Sequence, residues 1–427
     1  MRGTYDFAAI GVGPFNLGLA ALTEDLTDVD GIFLEQRAEF DWHPGLMIDG
    51  VTIQVPFMAD LVTMADPTSR FSFLNYLKQV GRLYPFYIRE SFYPLRAEYN
   101  EYCKWVARQL SSVRWNTRVD TVTHDGEAYL VHTNGETFRA RKLVLGIGTA
   151  PRIPAVVDQG PFLHSADYLP KKAELQQLDS ITIIGSGQSA AEIYLDLLND
   201  IGTYGYHLSW ITRSPRFFPM EYTKLTLEMT SPEYIRYHQR LPLETRDRLG
   251  REQRNLYKGI SGDLVDTIYD TLYTKSLAGP VSTTLLTGTA LSGVIWDGER
   301  WTLALEHQEE GSSFTATTRG LVLATGYAPR VPSFLDPVRD RISWDARGRF
   351  DVTVDYAVDR EGDEIFVQNA AEHTHSVTDP DLGMGAYRNS VILRGITGRE
   401  IYQVEESIAF QQFGAPTADI PKALVTS

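Results

Sequence analysis

The residues that most clearly suggest chemistry are two glycines, Gly11 and Gly13, placed directly after a short apolar run at residues 5–10. Apolar side chains then recur at helical spacing over residues 14–22, and Pro14 falls in the first turn, where a missing N–H costs little. In such a strand–turn–helix unit, Gly11 allows a tight turn and Gly13 lets a pyrophosphate approach the positive end of the helix dipole. The pattern predicts a dinucleotide site; the alternative is an ordinary turn that binds nothing.

An acidic residue supports the dinucleotide interpretation of this first turn. A second apolar run at residues 32–34 ends in Glu35, where a carboxylate can accept a hydrogen bond from a ribose hydroxyl. One position departs from the usual G-x-G-x-x-G pattern, because Asn16 stands where the third glycine is expected.

A second glycine turn follows later in the chain. Gly185 and Gly187 lie between a strand predicted over residues 180–184 and a helix predicted over residues 191–198. The form is G-x-G-x-x-A, and Ala190 is small enough for close helix–strand packing. This turn therefore predicts a second nucleotide site.

The residue after the next strand indicates which nucleotide this second site binds. The strand predicted over residues 208–212 ends in Arg213 rather than in an acid. A guanidinium can hold a phosphate ester through two parallel hydrogen bonds, which favours NADPH over NADH. The alternative is that Arg213 is a solvated surface charge.

Two dinucleotide sites on one chain indicate that one nucleotide cofactor stays bound while another delivers hydride. The first site, with Glu35, suits FAD, and the second, with Arg213, suits NADPH. Cys103 is the only cysteine, so no thiol pair can accept the electrons, and we expect it to be a buried small hydrophobe. From the residues alone, the electrons go either to dioxygen at the flavin or to an external acceptor.

These sites require an α/β fold with two Rossmann-like dinucleotide-binding domains, the second inserted in the first, and a smaller, mostly helical substrate region. The insertion is predicted because two apolar strands, at residues 142–145 and 321–324, end in the same way, in glycine followed by proline. The predicted boundaries are 1–155 and 320–427 for the FAD domain, 156–215 and 281–319 for the NADPH domain, and 216–280 for the helical insert.

Several further elements are predicted from periodicity and composition. The expectations are an antiparallel meander over 118–140, a short strand over 52–55, a polar loop over 370–380, a closing helical region over 386–413, and core packing for the aromatic residues between helices predicted over 72–80 and 98–110.

Composition narrows the class of protein. The net charge of −15 over 427 residues disfavours binding to a phosphate backbone, so nucleic acid is not an expected partner. No apolar run is long enough to span a membrane, and the chain begins in a strand without the pattern of a signal peptide, so a cytoplasmic protein is expected. No metal site is expected, because His373 and His375 have no cluster of cysteines or carboxylates beside them.

Six motifs in the same order resemble the flavin-dependent N-hydroxylating monooxygenases of siderophore biosynthesis, the ornithine, lysine and diamine hydroxylases. They are G-V-G-P-F-N-L, W-H-P-G, the tract 54–68, G-S-G-Q-S-A-A-E, L-A-T-G-Y and T-H-S-V-T-D, and they span nearly the whole chain. The resemblance implies that NADPH reduces FAD and that dioxygen adds to form a flavin hydroperoxide. A neutral primary amine then attacks that hydroperoxide to give a hydroxylamine, because an alkylammonium has no lone pair.

The resemblance also assigns residues to the two sites. It places Trp42, His43 and Gln54 near the isoalloxazine ring, with Thr378 and Asp379 at the edge of the flavin. It assigns Gly11, Gly13, Pro14 and Glu35 to FAD, and Gly185, Gly187, Gln188, Ser189 and Arg213 to NADPH.

Two positions implied by the resemblance concern the substrate. Hydroxylases of amino acids have a lysine that pairs with the substrate carboxylate where this chain has Ala59, and ornithine enzymes have an asparagine where it has Leu256. Because an unpaired buried carboxylate is costly, the expected substrate is a diamine, cadaverine first and putrescine second, with lysine or ornithine as alternatives. Asp60, Glu228 and Asp381 are candidates for binding the far ammonium.

Other consequences stay open from the sequence. Arg319 replaces an aspartate that usually precedes the A-T-G-Y motif, so the link between domains is expected to differ there. The resemblance implies a homo-tetramer or dimer. Two rival functions are a reductase that passes electrons to an external acceptor and a dinucleotide sensor without catalysis.

Overall fold

A computed structural model describes residues 3–157 and 159–415. The first part of the chain contains strands β1 (Tyr5–Ile10), β2 (Gly31–Leu34), β3 (Val113–Arg114), β4 (Val119–His124), β5 (Tyr129–Thr133), β6 (Thr137–Leu145) and β7 (Thr149–Pro151), helices α1 (Pro14–Thr23), α2 (Phe73–Gln79), α3 (Leu83–Ile88) and α4 (Arg96–Ala107), and a 3₁₀ helix at Pro44–Leu46.

The middle part contains strands β8 (Leu163–His164), β9 (Ser180–Ile184), β10 (His207–Ile211), β11 (Thr283–Leu286), β12 (Thr289–Trp296), β13 (Trp301–His307), β14 (Ser312–Thr318), β15 (Gly320–Leu323) and β16 (Tyr327–Pro329). Its helices are α5 (Tyr168–Leu175), α6 (Gln188–Tyr204), α7 (Lys224–Leu227), α8 (Pro232–Gln239), α9 (Leu243–Glu252), α10 (Asn255–Lys258) and α11 (Gly262–Ser276), with a 3₁₀ helix at Ser165–Asp167. The last part contains β17 (Ile365–Val367), helices α12 (Glu372–His375) and α13 (Gly385–Thr397), and 3₁₀ helices at Ser333–Arg341 and Ser376–Thr378.

The first sheet has the strand order β3-β2-β1-β6-β5-β4. One edge of β6 pairs in parallel with β1, while the start of its other edge pairs antiparallel with β5. The predicted meander is therefore confirmed, but its last strand and the strand predicted over residues 142–145 are one continuous strand. β17 pairs in parallel with the end of β6, so the chain returns to this sheet after the middle part.

The second sheet has the order β11-β10-β9-β15-β8, and β12, β13 and β14 form a separate antiparallel sheet. β15 pairs with β9 through Gly320 to Leu323, although the predicted boundary at 320 assigned these residues to the first domain. That boundary is wrong, because the chain leaves the second sheet only after Leu323. Apart from this correction, the division into three domains stays a prediction.

The two crossings between the sheets lie side by side. β7 follows β6, β16 follows β15, and the two short strands pair antiparallel through Ala150 and Ala328. Arg152 N–H also donates to Gly326 O at 2.9 Å, so the pairing continues past the strand end.

The central parallel strands of both sheets are buried on their two faces, which explains why these strands are continuous apolar runs. Ala8 and Ala9 of β1 belong to different apolar clusters on opposite faces of the first sheet. Ile183 and Ile184 of β9 likewise belong to different apolar clusters on opposite faces of the second sheet. The glycine turns at the carboxyl ends of β1 and β9 are therefore held by strands with little freedom to move.

Three of the predicted elements are wrong. Residues 52–55 form no strand; Thr52 makes only an isolated bridge to Leu95. The predicted loop over 370–380 instead contains α12 and a 3₁₀ helix, and His375 and Thr378 there are fully buried. The predicted closing helix ends early, because Gly398 takes φ +69° after α13, and residues 399–415 contain no helix.

The aromatic residues of the tract between α2 and α4 were predicted to pack in the core. Phe86 does so, but Tyr84, Tyr87 and Phe92 are 73%, 77% and 67% exposed. The prediction is wrong for these three side chains and for Tyr93, which is 39% exposed. The separate prediction that Cys103 is a buried small hydrophobe is confirmed, because Cys103 of α4 is buried among apolar residues.

Arg319 lies between β14 and β15, at the end of the second sheet that is opposite to its glycine turn. Its N–H donates to Ser180 Oγ at 3.0 Å, at the start of β9. The residue therefore contributes to the base of the second sheet and lies away from the crossing at β16. No helix of the described residues combines the length and the apolar character that a membrane span requires.

Candidate active site

The first glycine turn is closed against the neighbouring strand. Gly11 has φ +85°, and a β carbon built on it would lie 2.5 Å from Gly146 O, just after β6. Gly13 is the N-cap of α1, no side chain caps the helix, and nothing lies within 4 Å of a β carbon built on Gly13. The first N–H groups of α1, after Pro14, are therefore open to an anion, which fits a pyrophosphate.

Asn16, the departure from the fingerprint, has a structural role. Its buried side chain donates from Nδ2 to Gly11 O at 2.7 Å, inside the turn. A β carbon on Gly146 would collide with this amide, so the glycine after β6 leaves room for the larger residue. Gln368 Nε2 donates to Asn16 Oδ1 at 3.1 Å. Asn16 thus ties the turn to the segments that follow β6 and β17.

Glu35 lies directly beside the first turn. Its Oε2 accepts the N–H of Val12 at 2.8 Å, and its Oε1 accepts the N–H and Nε of Arg37 at 2.9 and 3.1 Å. Burial alone would raise the pKa of Glu35, but the hydrogen bonds from Arg37 and Val12 outweigh it and lower the pKa. Glu35 is therefore an ionised acceptor, as a ribose contact requires; sequence reasoning missed Arg37, which lies two residues further on.

The second glycine turn has the same construction. A β carbon on Gly185 would collide with Ala324 O, the carbonyl just after β15, and one on Gly187 would lie 3.2 Å from Lys258 O. Gly187 is the N-cap of α6 and no side chain caps the helix. The N–H groups of its first turn, where Ser189 lies, are open to a second pyrophosphate.

Arg213 at the end of β10 belongs to a group of three arginines. Burial lowers the pKa of Arg213, and the neighbouring charges of Arg254 and Arg152 lower it further. Like charges placed together are unfavourable unless an anion lies between them. This arrangement fits the extra phosphate of NADPH. Sequence reasoning missed Arg152 and Arg254, because they come from separate segments of the chain and meet only in the fold.

Gln54 and Gln188, assigned to different cofactors, are in direct contact. Gln54 Nε2 lies 3.2 Å from Gln188 Oε1, 2.9 Å from Met220 Sδ and 3.4 Å from Ser261 Oγ. Ser261 N–H donates to Gln188 Oε1 at 2.8 Å, and the Tyr222 hydroxyl donates to Gln54 O at 2.8 Å. The two glycine-turn units and the helical segment therefore meet at this pair.

A buried ion pair fixes Gln188. Its Nε2 donates to Glu192 Oε1 at 2.9 Å, and both terminal nitrogens of Arg96 donate to the Glu192 carboxylate at 2.7 and 2.8 Å. Arg96 Nη1 also donates to Leu46 O at 2.7 Å. Sequence reasoning missed both charged residues, which lie on α4 and α6 and so connect the two units.

Trp42 and His43 form part of a row of rings. The Trp42 ring centroid lies 5.5 Å from that of Tyr99 and 4.9 Å from that of His43, which lies 5.9 Å from that of Tyr327. Trp42 N–H donates to Asn100 Oδ1 at 3.0 Å. Trp42, His43 and Tyr99 precede the second sheet in the chain, whereas Tyr327 follows it as the first residue of β16.

His43 keeps access to solvent but is surrounded by protein on most sides. This desolvation, with the positive charges of Arg96 and Arg37, lowers its pKa to about 4. Its backbone takes φ +51°, in the left-handed region that non-glycine residues rarely adopt. The next turn is fixed by close approach, because a β carbon on Gly45 would collide with Ala166 O. His43 is therefore a neutral, fixed ring at neutral pH.

With this geometry in place, comparison with protein families matches residues 3–329 to the model of the L-lysine 6-monooxygenase/L-ornithine 5-monooxygenase family. The chain belongs to this family. The predicted class of enzyme, a flavin-dependent N-hydroxylating monooxygenase, is therefore confirmed.

Three relatives place the chain within this monooxygenase family. A putrescine N-hydroxylase of Shewanella oneidensis is 49% identical over 422 residues, which cover 96% of this chain and 84% of the relative. The solved structure of DfoA, a cadaverine monooxygenase from Erwinia amylovora bound to FAD, is 50% identical with a TM-score of 0.96 over 98% of this chain and 100% of its own. KtzI, an ornithine N-hydroxylase of Kutzneria sp. 744, is 28% identical with a TM-score of 0.85 over 92% and 99%. The predicted α/β fold is confirmed.

Thr378 and Asp379 were assigned to the flavin edge by resemblance to this monooxygenase family, but their side chains point into the protein. Thr378 Oγ1 donates to His375 O at 2.6 Å, and Asp379 Oδ2 accepts the N–H of Ala371 at 2.9 Å. Burial raises the pKa of Asp379 to about 6, although Arg388 Nη1 lies 3.7 Å from its Oδ1. A contact of these two residues with the flavin would involve their backbone, and it stays a prediction.

The two substrate positions are both neutral in this member of the monooxygenase family. Ala59 is 6% exposed and follows Gln54 by five residues on the same irregular segment. Leu256 is half-buried on α10, two residues before Lys258, whose carbonyl lies beside the second glycine turn. Both positions therefore lie on segments that reach the Gln54 and Gln188 contact.

Proposed function

We propose that this protein N-hydroxylates one terminal nitrogen of an aliphatic diamine, cadaverine ahead of putrescine, for the biosynthesis of a hydroxamate siderophore. The observation that carries the proposal is the neutral, buried Ala59, where the amino-acid hydroxylases that the chain resembles have a lysine. Without a positive partner, burial of a substrate carboxylate costs on the order of several kcal/mol. A diamine has no carboxylate and avoids this penalty.

The relatives support the same class of substrate. One is named for putrescine and another for cadaverine, and both are about half identical to this chain. Cadaverine is placed first because the relative named for it aligns over the whole fold with a TM-score of 0.96.

FAD and NADPH are the cofactors. DfoA is bound to FAD, and KtzI holds reduced FAD and NADP⁺. When bound, reduced FAD activates dioxygen and supplies the oxygen atom that the amine receives. The open N–H groups after Gly13 and Gly187 would hold the two pyrophosphates, and Arg213 with its two neighbours would hold the extra phosphate of NADPH.

The residues around Gln54 and the row of rings would surround the place where oxygen is transferred to the amine. Transfer of oxygen to nitrogen needs a dry site and an uncharged amine, since an ammonium has no lone pair. The rings of Trp42 and Tyr99 would supply apolar surface on one side of this site. With a pKa near 4, His43 is too weak a base to take a proton from an alkylammonium at neutral pH, so His43 does not generate the neutral amine.

The test is an assay of NADPH-dependent hydroxylamine formation with cadaverine, putrescine, lysine and ornithine, with hydrogen peroxide measured in parallel. We expect coupled hydroxylamine formation with the two diamines and mainly peroxide with the two amino acids. Turnover of lysine or ornithine well above both diamines would contradict the proposal.

The same assay separates the rival functions. A reductase would reduce an artificial electron acceptor rapidly and form no hydroxylamine from any amine. A sensor would oxidise no NADPH in the presence of added FAD. Either result would replace the proposed hydroxylation rather than change its substrate.

A further inference from the structure

A carboxylate, Asp381, lies beside the position where the amino-acid hydroxylases have their lysine. A β carbon built on Gly383 would lie 2.9 Å from Asp381 Oδ1 and 3.7 Å from the β carbon of Ala59. Asp381 and Ala59 are therefore neighbours across Gly383. The amino-acid hydroxylases have a positive lysine at residue 59, whereas this chain has a negative carboxylate beside that position.

Asp60, the acidic residue next to Ala59, is already fully hydrogen-bonded. Its Oδ1 accepts the N–H groups of Val62 and Thr63 at 3.0 and 2.7 Å. Its Oδ2 accepts the Thr63 hydroxyl and the N–H of Phe73, both at 2.7 Å. Asp60 holds its own turn and the start of α2, so it has no free oxygen lone pair aimed at a ligand.

Glu228 is also occupied, and it lies on the surface. Its two carboxylate oxygens accept the N–H groups of Phe410 and Gln411 at 3.0 and 2.9 Å. The neighbouring helix repeats this contact, because Glu233 Oε1 accepts the N–H groups of Ile408 and Ala409 at 2.7 and 3.0 Å. These acids fasten the segment after α13 to α7 and α8.

Asp381 differs from both of these acids. Its Oδ1 accepts the N–H of Gly383 at 2.6 Å, and the backbone N–H of Met384 also points to this carboxylate. Burial raises the pKa of Asp381, although the N–H groups of Gly383 and Met384 and the charge of Arg388 act in the opposite direction. The Arg388 guanidinium is itself bonded to the carbonyls of Thr378 and Asp379. The hydrogen bonds that Asp381 receives come from backbone N–H groups, so the carboxylate keeps its charge available for a cationic ligand.

Asp381 also lies near the group that joins the two cofactor units. Burial raises the pKa of Tyr222, and the charges of Tyr93 and Asp381 raise it further. The Tyr222 hydroxyl donates to Gln54 O at 2.8 Å. The charge of Asp381 is therefore felt at the hydroxyl that contacts Gln54.

We propose that the Asp381 carboxylate binds the ammonium at the end of the diamine that is not hydroxylated. The inference rests on the proposed function and names the residue that selects its substrate. A carboxylate partly removed from water binds an ammonium by a charge-assisted hydrogen bond, which is stronger than one between neutral groups. The same carboxylate repels the carboxylate of lysine or ornithine, so one residue both favours diamines and disfavours amino acids.

The experiment compares Asp381→Asn with the wild type on cadaverine and on pentylamine, which lacks only the second amino group. We expect kcat/KM for cadaverine to fall about 100-fold in the variant and that for pentylamine to change less than about threefold. The rate of flavin reduction by NADPH should not change, because no cofactor contact is removed. Glu228→Gln is the matched control and should leave the preference for cadaverine intact.

If Asp381→Asn does not fold, Ala59→Lys gives an independent measurement. Its ammonium would lie beside Asp381 and compete with the substrate, so cadaverine should lose its advantage over pentylamine. A variant of either kind that keeps the wild-type preference would overturn the role of Asp381. If the wild type forms hydroxylamine from no diamine, the proposed function itself is wrong.

Discussion

Gln54 Nε2 lies 3.2 Å from Gln188 Oε1, and this contact joins the segment predicted to border the flavin to the first helical turn of the second glycine unit. Gln188 is held in turn by Glu192, which is paired with Arg96 of the first unit. A chain of hydrogen bonds therefore crosses the boundary between the two cofactor units twice. The relative position of the two units depends on these side chains.

Replacement of Gln54 by alanine should uncouple the reaction. Gln54→Ala removes contacts to Gln188, Met220 and Ser261, so the helical segment and the second unit lose their shared partner. We expect hydroxylamine formed per NADPH oxidised to fall at least about threefold, with a matching rise in peroxide, because a misplaced site admits water. Gln79→Ala, an exposed glutamine of α2, is the control and should stay coupled.

Removal of Arg254 should weaken the binding of NADPH but not of NADH. The positive charge of Arg254 helps to lower the pKa of Arg213, and we expect both guanidiniums to contact the same phosphate. Loss of one charge-assisted hydrogen bond should raise the KM for NADPH about tenfold in Arg254→Ala. Arg251→Ala, on the exposed end of α9, is the control. An equal rise in KM for NADH would contradict a phosphate contact.

Restoration of the usual third glycine should destabilise the protein. Asn16→Gly removes the hydrogen bond to Gly11 O and one of the two that Gln368 Nε2 donates, the other being to Asn389 Oδ1, and it puts a glycine inside α1. We expect a loss of about 2–4 kcal/mol in the free energy of unfolding, measured with urea. Ala190→Gly, at the corresponding position of the second turn, should cost about 1 kcal/mol. Equal costs would contradict the role of Asn16.

The stability should fall with acid in a way that depends on His375. This fully buried ring has its pKa lowered to about 3, mainly by burial and then by Arg388. Below pH 6.5 the unfolded chain takes up a proton that the folded state binds only near pH 3, so stability is lost as the pH falls from 6.5. Urea unfolding at several pH values should show a slope for His375→Gln that is smaller by up to about 1.4 kcal/mol per pH unit. An unchanged slope would contradict this origin.

The sequence predicted both glycine turns because the signal is local. Each strand, turn and helix is adjacent in the chain, and Glu35 and Arg213 follow at the end of the next strand. The element order was therefore predictable, as were β1, β2, β9 and β10 within a residue or two of their ends.

The parts that failed depend on contacts between distant segments. Thr52 has the residue pattern of a strand, but its only bridge is to Leu95, and periodicity cannot show the absence of a partner. Arg152 and Arg254 are ordinary surface arginines in the sequence, and only the fold brings them to Arg213. Asp381 was one of three equal candidates until the hydrogen bonds of Asp60 and Glu228 were known.

The pairing of β7 with β16 has a consequence for how such a chain could arise. The inserted unit enters at Pro151 and leaves at Tyr327, and these two residues are register partners in the ladder. The whole second unit therefore takes the position of the loop in a hairpin formed by β7 and β16. An ancestral hairpin at this place could accept an entire nucleotide-binding module while every strand of its host kept the same neighbours.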